Sequence, residues 1–327
     1  MSTTLNQTIN WENFQDKKYF IKNFIKLIKA HDVIIIFHHV NPDGDCLGSQ
    51  FGLKYWLKKI YPEKQILTVG DQQNLFNFLE WNFDEVDQNL LANALAIVVD
   101  ANYKNRIEKL EILEQIKTKV RIDHHPENDD LDYQLRWVDP SYCASAEQIS
   151  DLIYTYKPKT IDQQIATYLY LGIYTDSGRF FYDKTSSRTH KLSAWLIASG
   201  FNMDAIHQAL AKKTIQDLQL QQEVYAHYQT KQNVIYYFMT QSKMKQLNLS
   251  LTQANRVDLL ANIEGYSVWI FFIENEDQTI RVRLRSNQKD VNSLAKIYGG
   301  GGHIRASGAI IDNQSLIEEV VEKATML

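Results

Sequence analysis

The stretch His38-His39-Val40-Asn41-Pro42-Asp43-Gly44-Asp45 packs two imidazoles and two carboxylates into eight positions. Three further places carry side chains of the same kind: Asp100 closing Leu-Ala-Ile-Val-Val, Asp123-His124-His125 after Val-Arg-Ile, and Asp176 within Leu-Gly-Ile-Tyr-Thr-Asp-Ser-Gly. Each has an ordinary reading. A lone aspartate after a strand caps a helix or forms a turn, and Asn-Pro and Asp-Gly are common turn signals. Four such clusters along one stretch of chain favour a shared metal site. Two close cations that clamp a phosphoryl group need several carboxylates, at least one of them shared. Asp100, alone at the end of its apolar run, is the natural bridge, and Asp43-Gly44-Asp45 lets two carboxylates of one turn serve different ions. Mixed imidazole and carboxylate ligation favours manganese or another transition ion over magnesium.

The elements that must position these groups alternate. Val33–Phe37, Ile66–Val69, Leu95–Val99 and Val120–Ile122 read as strands. Gly48–Ile60, Ile107–Ile116 and Ser145–Tyr156 carry apolar residues at helical spacing. Strands separated by helices predict right-handed βαβ units, a mainly parallel sheet flanked by helices, and a ligand crevice beyond the strands' carboxyl ends. Three of the four clusters fall there. For Asp176 the preceding segment reads equally as strand or helix.

Residues 206–232, polar and Gln-rich, read as a helical linker, so the expected division is 1–205, the linker, and 233–327. The last part carries strands at Val234–Met239, Val268–Ile273, Ile280–Arg285 and Ala309–Ile311, with a final helix at Gln314–Ala324. In it, Arg281-Val282-Arg283-Leu284-Arg285 places three guanidiniums on one strand face. Arg281 and Arg283 read as solvated positions. Gly299 to Gly302, followed by His303, give up backbone entropy in a way that suggests close backbone approach or positive φ, although a flexible loop before a strand is the plainer reading. Glycine N–H groups beside guanidiniums suit phosphates.

At 327 residues two domains are expected, and 44% hydrophobic residues with 12% aromatics suffice for packed cores. A net charge of −4 gives no general pull toward nucleic acid, so anion binding must be local. Cys46 and Cys143 are too few for a disulfide framework, and no apolar run reaches 18 residues. The opening residues lack a basic segment with an apolar core, so no signal peptide is expected. A cytoplasmic protein with no membrane partner follows as the expectation.

With these clusters in view, the sequence resembles the DHH phosphoesterase family. Asp123-His124-His125 is its namesake tripeptide, "HHVNPDGDCLGS" is similar to its first motif, and "VVDA" and "GIYTDSGRF" to its second and fourth. The resemblance implies that His39, Asp43 and Asp100 hold one metal and that Asp45, Asp100, His124 and Asp176 hold the other. It places His125 near the scissile phosphate as a catalytic group, with Asp123 orienting a histidine from behind. His38 lies outside the motif and reads as a strand-end residue facing the neighbouring helix; Cys46 reads as a small buried filler. From about 233 onward the chain resembles a DHHA1 substrate domain. That implies nucleotide binding by Arg285, Ser286, Asn292, the glycines Gly300, Gly301 and Gly302, and His303.

A small α/β DHHA1 domain after the DHH domain, with the active site in the cleft between them, resembles the bifunctional nano-RNases. Pyrophosphatases of this superfamily lack the GGGH loop, RecJ-type exonucleases carry additional DNA-binding modules, and membrane-bound cyclic-di-AMP phosphodiesterases carry spans and sensors. The expected activity is hydrolysis of very short RNA and of the 3′-phosphate of 3′-phosphoadenosine-5′-phosphate (pAp). The expected cofactors are two divalent ions, Mn2+ before Mg2+ or Co2+; long duplex DNA is not an expected partner, and a homodimer is compatible. A cytosolic cyclic-di-AMP or pApA phosphodiesterase is the nearest alternative, and a non-catalytic nucleotide-binding regulator the alternative from another class.

Overall fold

The computed structural model describes residues 14–125 and 131–327. They form two compact units, one ending at Leu210 and the other running from Ala211 to Leu327. The segment read as lacking a signal peptide lies largely outside the described residues. No helix of the described residues is long and apolar enough to cross a membrane.

In the first unit the chain runs α1 (Phe14–Ala30), β1 (Val33–Phe37), α2 (Gly44–Ile60), β2 (Gln65–Thr68), β3 (Leu95–Val99), α3 (Leu110–Leu113), β4 (Thr118–Asp123), β5 (Leu135–Val138), α4 (Ser145–Tyr156), α5 (Gln163–Asp176), α6 (Ser187–Ile197) and α7 (Met203–Ala211). The five strands form one sheet in the order β2-β1-β3-β4-β5, and every neighbouring pair is parallel. That order reverses between β1 and β3, so the carboxyl ends of those strands diverge and open a crevice. Residues of β1 alternate in destination: Ile34 and Ile36 join a core with α1, α2, α4 and α5, while Ile35 and Phe37 join a core completed by α3 and short turns. Burial on both faces is why the strands read as continuous apolar runs.

Several elements differ from expectation. Helix α2 begins at Gly44, not Gly48, because Asp43 caps it. Ile107–Ile116 is mostly turn, with only Leu110–Leu113 helical. Strand β5 is not among the expected strands. The segment before Asp176, which reads equally as strand or helix, is the helix α5.

The second unit contains α8 (Ile215–His227), β6 (Gln229–Lys231), β7 (Val234–Met239), α9 (Gln241–Gln246), α10 (Leu251–Ala254), β8 (Val268–Glu274), β9 (Ile280–Ser286), α11 (Val291–Ile297), β10 (Gly301–His303), β11 (Ala306–Ile311) and α12 (Ile317–Thr325). Its sheet order is β10-β11-β9-β8-β7-β6, antiparallel except for β7 beside β8. The stretch read as one linker is two helices. Thr214 caps the second, α8, whose Leu220 and Val224 are fully buried in the second unit's core.

Candidate metal centre

Strand β1 delivers His38 and His39 to the crevice, and a turn through Asn41 at φ 55° leads into Asp43. Asp43 is both helix cap and candidate metal ligand. Its Oδ1 accepts from the N–H groups of Asp45 and Cys46, each at 3.0 Å, while its Oδ2 lies 3.5 Å from His39 Nε2. The Cys46 thiol closes the capping box by accepting from the Asp43 N–H at 3.2 Å. Burial pushes that thiol up to about 12, which keeps it protonated.

Asp100 sits at the carboxyl end of β3 with φ 57°, a left-handed conformation that aspartate tolerates better than most residues. Its two oxygens face opposite ways. Oδ2 is 3.5 Å from His39 Nε2, and Oδ1 is 3.4 Å from His124 Nε2. His124 Nε2 also lies 3.4 Å from Asp176 Oδ2 and 3.8 Å from Asp45 Oδ2. One buried carboxylate thus stands between two imidazoles, with one oxygen toward each.

Asp45 is held by the first turn of α4: Ser145 N–H donates to Oδ2 at 2.6 Å and Ala146 N–H to Oδ1 at 2.8 Å. Ser49 Oγ donates to Oδ1 as well, at 3.1 Å. Two of these donors are orphan amides of a helix N-terminus, a favourable place for a carboxylate. Ser145 Oγ in turn donates to Asp100 Oδ1 at 3.1 Å, tying the two aspartates to one helix end. Neither Ser145 nor Ala146 carries a sequence signal for this role.

His125 is backed by a chain of charge. Asp123 Oδ1 lies 2.8 Å from His125 Nδ1, and Asp123 Oδ2 accepts from Arg121 Nη2 at 2.6 Å. Arg121 and Asp123 are both fully buried. Arg121 was not singled out from the sequence, although a guanidinium inside an apolar strand is itself a signal. His38 is buried beside Gly70 and the ring of Phe83, and burial followed by repulsion from His39 lowers it to about 4. Its surroundings are thus the loop after β2 as well as Cys46 of α2.

The donor set fits divalent metal. His39 Nδ1 pairs with the Val40 carbonyl at 2.9 Å and His124 Nδ1 with the Tyr142 carbonyl at 3.3 Å. A carbonyl only accepts, so each Nδ1 carries the proton and each neutral Nε2 turns a lone pair toward carboxylate oxygens. Lone pair against carboxylate is repulsive unless a cation or proton sits between them. Without a metal the proton takes that role: burial pulls His124 down, but Asp100, Asp176 and Asp45 outweigh it and raise it to about 10. Burial and the neighbouring Asp43 and Asp100 raise Asp176 to about 6, even with His124 opposing. Burial, Asp100 and Asp176 hold Asp45 well above the carboxylate range. Asp100 goes the other way, because hydrogen bonds from His124 and His39 overcome its burial. Groups of three donors, including Asp45 with His124 and Asp176, lie within 4.8 Å of one another.

In the second unit, alternation along β9 buries Val282 and Leu284 and turns Arg281, Arg283 and Arg285 to the other face. His303 pairs with Ala306, and Ala306 with Arg285, so His303 and Arg285 share that face. Asn292 and Ser286 lie on the opposite side. Asn292 Oδ1 accepts from Ser307 Oγ at 3.4 Å, and the buried Ser286 hydroxyl donates to the Lys289 carbonyl. The glycine run is ordered, with Gly301–His303 forming an edge strand. Gly300 allows close approach, since a Cβ there would come within 2.1 Å of the Gly308 carbonyl oxygen, and Gly302 has φ 140°.

A family model described as the DHH family, N-terminal domain, matches residues 33–173, and a DHHA1 domain model matches residues 231–327. The bifunctional oligoribonuclease and PAP phosphatase NrnA of Mycoplasma genitalium is 46% identical over 308 residues, 93% of this chain and 96% of that protein. The protein of the same description in Bacillus subtilis is 35% identical over 291 residues, 88% of this chain and 92% of its own. Among solved structures, an exopolyphosphatase-related protein from Bacteroides fragilis has the same fold, with a TM-score of 0.84 at 23% identity over 94% of this chain and 96% of that one.

Proposed function

The chain belongs to the DHH family, with a DHHA1 domain as its second unit, and from that premise we propose that it is a dimetal phosphoesterase acting on very short RNA and on the 3′-phosphate of pAp. The observation that carries the reading is Asp100, one buried carboxylate whose two oxygens face His39 on one side and His124 on the other. The relatives described as bifunctional oligoribonuclease and PAP phosphatase suggest the substrates.

His39, Asp43 and Asp100 would hold one ion, and Asp45, Asp100, His124 and Asp176 the other. When bound, two divalent cations, manganese first among them, supply positive charge that polarises the phosphate and the hydrolytic water. The helix end at Ser145 and Ala146 keeps Asp45 in place, and Val40 and Tyr142 fix the imidazoles with Nε2 inward. His125, oriented through Nδ1 by Asp123, hands a proton to the leaving oxygen from its other nitrogen. Against its burial, Asp123 is held ionised by His125 in front and then by Arg121 behind. In the second unit, Arg285 and His303 bind the nucleotide beside the backbone of Gly300, Gly301 and Gly302. Asn292 and Ser286 shape that region, Ser286 through the 286–289 turn. This activity belongs in the cytoplasm.

The test is a manganese-supplemented rate comparison on pAp, pApA, a five-nucleotide RNA and cyclic-di-AMP. Hydrolysis of pAp and the short RNA is expected. Rapid turnover of cyclic-di-AMP with neither of these cleaved would overturn the reading.

A further inference from the structure

The two proposed ion sites are supported in different ways. At the first, the supports are local: His39 Nδ1 donates to the carbonyl of Val40, and Asp43 Oδ1 accepts from the amides of Asp45 and Cys46. At the second, two ligands depend on one remote segment, residues 142–146. The Tyr142 carbonyl accepts from His124 Nδ1, and the Ser145 and Ala146 amides hold Asp45.

That segment is gripped by Arg188, in the first turn of α6, and by Glu147, in the first turn of α4. Arg188 Cζ lies 3.4 Å from the centre of the Tyr142 ring. Its Nη2 donates to the Ser141 carbonyl at 2.8 Å and its Nε to Glu147 Oε1 at 3.0 Å. Glu147 is fully buried; Thr189 Oγ1 donates to Oε1 at 2.9 Å and the Cys143 amide to Oε2 at 2.8 Å. The Cys143 N–H and the Tyr142 carbonyl belong to one planar peptide unit and point in opposite directions. Holding the N–H on Glu147 therefore aims the carbonyl at His124. Across the segment, the Tyr142 hydroxyl donates to Asp151 at 2.6 Å, so the residue is fixed at its ring, its hydroxyl and both flanking peptides.

We propose that Arg188 and Glu147 are positioning residues for the second ion: they orient His124 and steady the helix end that holds Asp45, without touching metal or substrate themselves. This rests on the dimetal site proposed above. A pair that served stability alone would have no reason to favour one ion over the other, whereas this geometry reaches ligands of the second ion and leaves the local supports of His39 and Asp43 untouched.

The test is calorimetric titration of chelator-treated, full-length protein with manganese. Wild-type protein is expected to bind two ions. Arg188→Lys keeps a counter-charge for Glu147, but an ammonium cannot serve Ser141, Glu147 and the ring together. Glu147→Gln keeps the shape with one accepting oxygen instead of two, so either Cys143 or Arg188 and Thr189 lose a partner. Each variant is expected to weaken one ion about tenfold or more and leave the other unchanged. Equal weakening of both ions, or of neither, in whichever variant folds would overturn the proposal. Nuclear magnetic resonance of metal-free protein identifies the affected ligand. The Nδ1 proton of His124, assigned with His124→Gln, should exchange with water faster in both variants, while that of His39 is unchanged. Should wild-type protein bind fewer than two ions, the dimetal reading fails and this exchange decides alone: faster exchange at His124 only supports the positioning role, and unchanged exchange overturns it.

Discussion

At the scale of residues, the centre is organised around carboxylates whose two oxygens have separate tasks. Asp43 gives one to the start of α2 and one to His39; Asp100 divides its pair between two imidazoles. Asp100→Asn keeps the shape and removes the charge. Manganese-dependent turnover of pAp should fall by more than about 100-fold, beyond what loss of an outer partner costs; near-normal turnover would refute the assignment. Arg121→Met tests the support behind His125. It leaves Asp123 buried without its cation, so the protein should lose about 3–5 kcal/mol, measured by urea unfolding. At temperatures where the variant is folded, its turnover should still drop about 10- to 100-fold.

At the scale of elements, α2 and α5 decide whether Asp45 and Asp176 can share a site. Gly44, Gly48 and Gly52 recur every four residues along α2 and form a bare ridge. At Gly48 a Cβ would lie 2.4 Å from the Tyr168 carbonyl oxygen of α5, backbone that cannot move aside like a flexible side chain. Gly172 of α5 answers it, with Asp45 Oδ1 only 3.1 Å from where its Cβ would be. Gly48→Ala should therefore destabilise the protein by about 1–3 kcal/mol in chemical denaturation, although alanine is the better helix former. Activity should fall with it, since parting the helices moves Asp45 from Asp176. A stabilised Gly48→Ala would show that the close approach is not required.

At the scale of the molecule, the two units have separate apolar cores. Every residue proposed to hold metal belongs to the first. A cation that binds only folded protein stabilises it by mass action, about 2.7 kcal/mol at a hundred times its dissociation constant. For a fragment of residues 1–210 that corresponds to a rise in Tm of about 5–10 °C. Manganese should produce that rise by thermal melting and leave a 211–327 fragment unchanged. An equal shift in both would place metal in the second unit as well.

Motif chemistry was legible because it is local. Imidazoles and carboxylates at strand ends read directly from residue type and spacing, and so did the parallel sheet, since strands buried on both faces become unbroken apolar runs. The alternation of Arg281, Arg283 and Arg285 was equally plain, because a strand's period of two is a property of backbone geometry. What surrounds these groups was not local. That Ser145 and Ala146 hold Asp45, a hundred residues away in sequence, depends on where α4 starts against the first turn of α2. That Arg283, which reads as a solvated position, is part-buried with an unbonded Nε depends on where the apolar cover of its sheet face ends, and no spacing in the sequence encodes that. Residue types thus determined the chemistry on offer, while tertiary packing decided which oxygen faces which nitrogen, because partners distant in the chain meet only when the helices and sheet close around them.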